Sequence, residues 1–87
     1  MKSYRLEVTT PAGCAFAGDT IQLSVRGASG DLAVMAGHIP LVTAVRPCEC
    51  KVYGTDGNVR HAKLSGGLLC VSKDKTQLLT SGFEWVD

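Results

Sequence analysis

Apolar side chains recur at every second residue over much of this chain, and this pattern limits the fold more than any other feature. Tyr4, Leu6 and Val8 alternate with polar neighbours near the start, and residues 21–25 repeat the pattern. Such alternation is typical of a strand with one buried and one exposed face. No stretch of a dozen residues has the 3.6-residue period of an amphipathic helix. The sequence therefore predicts an all-β protein.

Turns rich in glycine and proline divide the chain into about eight to ten short strands, mostly antiparallel. Regularly spaced short strands are typical of a small sandwich or flattened barrel. Because 87 residues hold a single hydrophobic core, we expect residues 1–87 to form one domain. The predicted strands cover residues 4–9, 14–18, 21–25, 31–36, 41–45, 48–53, 59–64, 68–72, 76–81 and 83–86.

The chain is almost neutral, which argues against several classes of function. Nine Lys and Arg residues face eight Asp and Glu residues, with a formal net charge of +1. Such a balance does not favour nucleic-acid binding. The longest apolar runs, such as residues 68–71, are far shorter than the roughly twenty residues that span a bilayer. Because the N-terminus has no signal-peptide pattern, we expect a soluble, non-secreted protein without membrane insertion.

The cysteines stand at positions without a familiar metal-binding spacing: Cys14, Cys48, Cys50 and Cys70. Cys48 and Cys50 form a C-x-C pair, which differs from the C-x₂-C spacing of zinc knuckles. In a reducing compartment, free cysteines behave as small buried apolar residues, so structural thiols are the favoured interpretation. Disulfides, or a metal or redox site at Cys48 and Cys50, stay open as alternatives.

Few side chains could carry chemistry, and the most informative is a loop histidine. His38 follows Gly37, which allows a positive φ, and precedes Ile39-Pro40, where proline favours an extended neighbour. The loop therefore serves either as a tight corner or to present a contact residue. His61 falls within an alternating segment and is expected to be an exposed strand residue.

Three other features favour structural roles. Ser65 lacks the G-x-S-x-G frame of a nucleophile elbow, so a bulge or tight turn is expected there. Residues 27–30, Gly-Ala-Ser-Gly, lack the Lys and the helix start of a phosphate loop and predict a turn. Trp85 is expected to cover the core more readily than to contact a partner. No catalytic, cofactor-binding or metal-binding residue is predicted.

A family resemblance rests on motifs that extend over the whole chain. The sequence Gly-Asp-Leu-Ala-Val-Met-Ala-Gly-His-Ile-Pro-Leu-Val-Thr-Ala occupies residues 30–44, and Leu-Ser-Gly-Gly occupies residues 64–67. Thr-Pro at 10–11, Phe-x-Gly at 16–18 and Leu-Leu-Thr at 78–80 fall at matching places. With these motifs the chain resembles the N-terminal β-sandwich of the epsilon subunit of F-type ATP synthase, called delta in mitochondria.

Two departures from the family pattern limit what the resemblance implies. Ala33 stands where the family usually has glycine, which is a mild change in a strand position. The family usually continues with two C-terminal helices that carry inhibitory and, in some members, nucleotide-sensing functions, whereas this sequence stops at Asp87. Those functions are therefore not implied. The start at Met1 fits a naturally short member and a truncated chain equally.

The resemblance implies a non-catalytic rotor subunit of the central stalk of F1Fo ATP synthase, without a cofactor. Such a subunit docks on the gamma subunit and on the cytoplasmic loops of the c-ring, and it helps couple ion translocation to ATP synthesis or hydrolysis. The implied location is the cytoplasmic face of the bacterial plasma membrane, as a peripheral part of F1.

The resemblance also implies which residues meet these partners. We expect a 1:1 complex with gamma that is weakened more by changes in residues 38–43 than by changes in the turn at residues 73–75. The implied contacts are Asp31 as a polar contact with the c-ring, His38, Ile39 and Thr43 as contacts with gamma or the c-ring, and Leu41 and Val42 packing beside them.

Two other functions compete with this one. The first is a small cysteine-dependent metal or redox protein that uses Cys48 and Cys50. The second is a generic β-sandwich binding module whose His38 loop contacts an unrelated protein.

Overall fold

Strands account for most of the backbone in the computed structural model, which describes residues 2–86. No helix occurs within that range, so the all-β prediction is confirmed. None of the described residues therefore forms a helix that could cross a membrane. The strands are β1 Tyr4–Thr10, β2 Gly13–Gly27, β3 Gly30–Met35, β4 Leu41–Val45, β5 Cys48–Gly54, β6 Val59–Leu64, β7 Gly67–Val71, β8 Lys75–Thr80 and β9 Phe83–Trp85.

The strands form two layers that share β2. Its first half pairs with β1, and its second half pairs with β3 and β5. The first layer continues from β1 through β8 and β7 to β4, and the second continues from β5 through β6 to β9. A pairing of Gly27 with Val45 joins β2 to β4 and so closes the layers on one side. The β1–β8 pairing is parallel, and the other pairings described are antiparallel.

The long strand β2 differs from the sequence prediction, which divided it into strands at 14–18 and 21–25. The polar residues between the two apolar segments mark a bend in one strand and do not end it. The register with β5 shifts between Thr20 and Gln22, and a β-bulge of this kind bends the strand. Thr20 is fully buried there, and its hydroxyl donates a hydrogen bond to the Tyr53 carbonyl. The bend lets one strand serve both layers.

The core lies between the layers and is built from the inward positions of the alternating pattern. Trp85 packs against it, with its ring centroid 5.7 Å from that of Phe16 and 4.9 Å from that of Phe83, so the prediction that it covers the core is confirmed. Burial of each large aliphatic side chain contributes about 1.5–3 kcal/mol. The buried apolar residues are Leu6, Val8, Leu23, Val25, Val34, Val45, Cys50, Val52, Ala62, Leu64, Leu69, Val71 and Leu78.

Strand β3 connects the two ends of the molecule, and this separation positions the candidate sites. Its Gly30 end adjoins the turn after β2, where Gly27 pairs with both Gly30 and Val45. Its Met35 end leads into the loop of residues 36–40 before β4. At about 3.3 Å per residue, roughly 13 Å of strand separates Asp31 from Met35.

Candidate functional site

An apolar surface crosses the outer side of the first layer, and we call it the apolar face: Val42, Ala44, Leu68, Cys70 and Leu79. Ala44 lies opposite Leu68, which in turn lies opposite Leu79, and Val42 lies opposite Cys70. Because paired residues point to the same side of a sheet, these side chains form one surface across β4, β7 and β8. Val42 is 67% exposed, and Leu68 and Leu79 are 39% and 41% exposed. Contiguous exposed apolar patches are typical of surfaces that contact a protein, a membrane or a ligand.

The outer side of the second layer is polar, and we call it the charged face: Glu49, Lys51, His61, Lys63 and Glu84. Glu49 lies opposite Lys63, which lies opposite Glu84, so opposite charges alternate across β5, β6 and β9. His61 lies in β6 with its side chain 40% exposed, and its Nδ1 is 2.9 Å from Glu49 Oε1. This arrangement is typical of a solvated sheet surface.

The loop of residues 36–40 is a tight corner that also presents a side chain. Gly37 has a φ of +86°, as its place in the sequence predicted. The His38 backbone N–H donates to the Met35 carbonyl at 3.1 Å, and the His38 ring Nδ1 lies 2.7 Å from the Ile39 carbonyl oxygen. Ile39 is 75% exposed. The loop is therefore a tight corner, and Ile39 is an exposed side chain on it.

A cavity of about 350 Å³ separates this loop from the turn between β7 and β8. Ile39 and Pro40 line one side and Lys73 and Lys75 line the other, with Tyr4 also lining it. Burial raises the pKa of the Tyr4 phenol well above its usual value, and its hydroxyl donates to the Val34 carbonyl at 2.7 Å. The turn at residues 73–75 is therefore a direct neighbour of the loop.

Asp31 lies at the opposite end of β3 from this loop. Its carboxylate is 84% exposed and accepts a hydrogen bond from Arg26 Nε at 3.2 Å. Arg26 and Asp31 are opposite each other at the turn that residues 27–30 form, as the sequence predicted. The six predicted contact residues are thus not one cluster.

The other predicted contacts divide between the two sides of β4. Val42 points outward on the apolar face, whereas Leu41 is half-buried and packs against the core. Thr43 is half-buried and lies opposite Leu69, which is fully buried, so it faces inward. Sequence reasoning missed Leu68 and Leu79 because each lies in an apolar run that resembles core. Alternation with the buried Leu69 and Leu78 was the signal that could have found them.

The four cysteines differ in their exposure to solvent. Cys50 is buried, Cys48 and Cys70 are half-buried, and Cys14 is exposed, which departs from the expectation of buried thiols. Burial raises the pKa of the Cys50 thiol to about 11, so this thiol stays protonated at neutral pH. Within residues 2–86, no three His, Cys, Asp or Glu side chains are grouped to hold a metal ion. The geometry gives no support to a metal or redox site at Cys48 and Cys50.

The expected bulge or tight turn is not present at Ser65, which lies in the short connection from β6 in the second layer to β7 in the first. Its backbone N–H donates to the Gly82 carbonyl at 3.0 Å, and the following Gly66 has a φ of +91°. The Thr80 hydroxyl donates to the Gly66 carbonyl at 2.5 Å. These bonds hold the Ser-Gly-Gly segment as a structural connection.

Comparison with known proteins gives a consistent result. A family model described as the β-sandwich domain of the ATP synthase delta/epsilon chain matches residues 3–86. The ATP synthase epsilon chain of Ruminococcus albus is 39% identical over all of this chain and 65% of its own length. The sodium-ion-specific epsilon chain of Acetobacterium woodii is 31% identical over 97% of this chain and 63% of its own length. The chain thus spans less than two thirds of these relatives.

Two solved structures have the same fold at low sequence identity. A chain in the mitochondrial ATP synthase of Euglena gracilis aligns with a TM-score of 0.89 at 20% identity, covering 98% of this chain and 56% of that one. A chain in the central stalk and c-ring of the Tetrahymena thermophila enzyme aligns with a TM-score of 0.78 at 12% identity, covering 94% and 66%. At these identities the likeness shows the fold alone.

Proposed function

The chain belongs to the ATP synthase delta/epsilon family, and from this premise we propose that it is a non-catalytic rotor subunit of the central stalk. In this role it docks on the gamma subunit and on the c-ring, and it helps couple ion translocation to ATP synthesis or hydrolysis. It lies peripherally, as part of F1, at the cytoplasmic face of a bacterial plasma membrane. Torque transmission needs a stiff body with two contact surfaces and no bond chemistry.

The observation that carries this proposal is the apolar face. Side chains such as Val42 at 67% exposure have no role in the core, and they lie together on one sheet surface. Interfaces between stable partners have apolar centres with polar rims. We therefore assign the apolar face to gamma, with Ile39 of the adjoining loop at its edge. The partner covers the side chains that the isolated chain leaves in water.

The c-ring contact belongs to the Asp31 end. The turn of residues 27–30 and the connection after β4 meet there, because the Arg46 backbone N–H donates to the Arg26 carbonyl at 2.8 Å. The register of β3 separates this end from the His38 loop, so one partner need not displace the other. Two separate surfaces suit a subunit that sits between the ring and the stalk.

The test is co-purification with the gamma subunit, using two exposed valines on different faces. Val42 lies on the apolar face, and Val59 is 42% exposed in β6 of the other layer. Val42→Asp is expected to weaken the complex at least about tenfold, because it places a charge in the centre of an apolar interface. Val59→Asp is expected to leave binding within about twofold, as surface substitutions outside an interface usually do.

The outcomes separate the two parts of the proposal. Equal losses for Val42→Asp and Val59→Asp would show that the apolar face is not the gamma surface. If the wild-type chain forms no complex with gamma at all, the central-stalk assignment itself is wrong. Thermal unfolding of both variants controls for a loss of fold.

A further inference from the structure

Two arginines flank the turn of residues 27–30 at the Asp31 end. The Arg46 backbone N–H donates to the Arg26 carbonyl at 2.8 Å, so the two residues are direct neighbours across strands. The Arg46 Nη2 donates to the Ala28 carbonyl at 3.3 Å, which places this guanidinium over the turn. Both arginines are exposed.

Between them lies a cavity of about 290 Å³, which is lined by Arg26, Arg46 and the four turn residues. Among the described residues, none of those that line it carries a carboxylate. Asp31 contacts Arg26 at Nε from outside the cavity and leaves the other guanidinium nitrogens of Arg26 unused by this ion pair. The charged side chains that line this cavity and the neighbouring one are Arg26, Arg46 and Lys51 against Asp31 and Glu49, which leaves a net positive charge.

We infer that this cavity binds a carboxylate of a partner protein, namely an Asp or Glu side chain in the c-ring loop that meets the Asp31 end. The inference rests on the proposed function for the identity of the partner. The planar guanidinium of arginine fits a carboxylate through two parallel hydrogen bonds, which fixes both position and orientation. Asp31 then acts as a positioning residue, because its carboxylate holds Arg26. It does not itself bind a positively charged side chain of the ring.

A protein carboxylate fits this end better than an anionic membrane surface does. Recognition of anionic lipids takes clusters of about four to eight basic residues. The other turns at this end supply none, because residues 11–12, 65–66 and 81–82 are all uncharged. The exposed Asp31 carboxylate would also be repelled by anionic lipid head groups. Two arginines around one small cavity suit a single anionic group.

The experiment measures binding of the chain, in complex with gamma, to the detergent-solubilised c-ring of the same organism. Arg46→Glu is expected to weaken ring binding about tenfold, and Arg46→Lys is expected to weaken it less, because the charge stays while the fork geometry is lost. Lys63→Glu makes the same charge change on the charged face, away from both cavities that Arg26 lines, and is expected to stay within about twofold. Unchanged gamma binding by Arg46→Glu would show that this variant is folded.

Charge exchange gives the decisive result. Replacing the acidic residue of the ring loop by Lys is expected to restore binding of Arg46→Glu. The inference is wrong if the ring loop has no Asp or Glu, if Arg46→Glu binds the ring as wild type does, or if the exchange gives no rescue. Sedimentation of the wild type, but not of Arg46→Glu, with vesicles of phosphatidylcholine and phosphatidylglycerol would overturn it in favour of lipid. Ring binding that is independent of Arg46 leaves the proposed function standing and removes only this inference.

Discussion

The two outer faces of this protein have opposite chemistry although both are surfaces of strands. The charged face pairs opposite charges across neighbouring strands, as in Glu49 with Lys63 and Lys63 with Glu84. The apolar face sets Leu68 opposite Leu79 and exposes Val42. A solvated sheet gains nothing from exposed aliphatic side chains. Their clustering on the apolar face, in contrast to the isolated Val59 of the other layer, indicates that a partner covers the apolar face.

The largest effect on stability is expected from a comparison of two neighbouring residues of β8. One lies in the core beneath the apolar face, and the other lies on that face. Leu78→Ala should lower the free energy of unfolding by about 2–5 kcal/mol, because Leu78 is fully buried and its loss leaves a cavity. Leu79→Ala, one residue further along, should lower it by less than about 1 kcal/mol, because Leu79 is 41% exposed. Urea unfolding of both variants measures the difference. If Leu79→Ala lowers the free energy of unfolding as much as Leu78→Ala does, the apolar face stabilises the isolated chain and its exposure gives no evidence for a partner.

A smaller effect on stability is expected at Cys50, whose side chain is buried on the inner side of β5, beneath the charged face. The pKa of the buried Cys50 thiol is raised from 9.0 to about 11 in the folded state, so the unfolded state loses this proton first as the pH rises. The free energy of unfolding should therefore be unaffected below about pH 9 and fall by up to about 1.4 kcal/mol per pH unit between the two pKa values.

Cys50→Ala is the matched variant for this prediction. Urea unfolding between about pH 8 and pH 10 should show a weaker pH dependence in Cys50→Ala than in the wild type. Because burial also raises the pKa of Tyr4, the comparison is best confined to this range. Identical pH dependence in the two proteins would show that Cys50 titrates alike in the folded and unfolded states.

The smallest effect belongs to the charged face itself. Glu49→Gln removes the charge that faces His61 Nδ1 at 2.9 Å, and both side chains are substantially exposed. Exposed pairs of this kind contribute about 0–1 kcal/mol, so stability at neutral pH should change by no more than that. Binding to gamma should stay unchanged. A strong loss of gamma binding in Glu49→Gln would reverse the assignment of the two faces.

Most of the strands could be predicted from alternation alone, and the exceptions have local causes. The break at Asp19 and Thr20 predicted two strands, but a bulge and a buried threonine hydroxyl carry β2 through the bend. The corner at Gly37 followed from glycine chemistry and has the positive φ that this chemistry allows, and Gly66 and Gly67 after Ser65 also have positive φ values. Features that depend on a few neighbouring residues were therefore predictable.

The candidate surfaces were predicted only in part. The family resemblance pointed to residues 38–43, and of these Ile39 and Val42 are the exposed apolar side chains, whereas Leu41 and Thr43 face inward. Asp31 is present as an exposed carboxylate, but its partner Arg26 and the neighbouring Arg46 had no signal in the sequence. The turn at residues 73–75, which was expected to affect the complex with gamma less than residues 38–43, lines one cavity with the loop of residues 36–40.

The sequence by itself determined that the chain is built of strands, where most of its turns lie and which family it resembles, because alternation and turn chemistry act over a few residues. Tertiary structure alone decided which outward side chains share a surface. Val42, Leu68 and Leu79 come from three strands, and only the register of β4, β7 and β8 brings them together. Arg26 and Arg46 likewise meet through hydrogen bonding between distant segments. Register is set by the packing of the whole core, so no local pattern in the sequence records it.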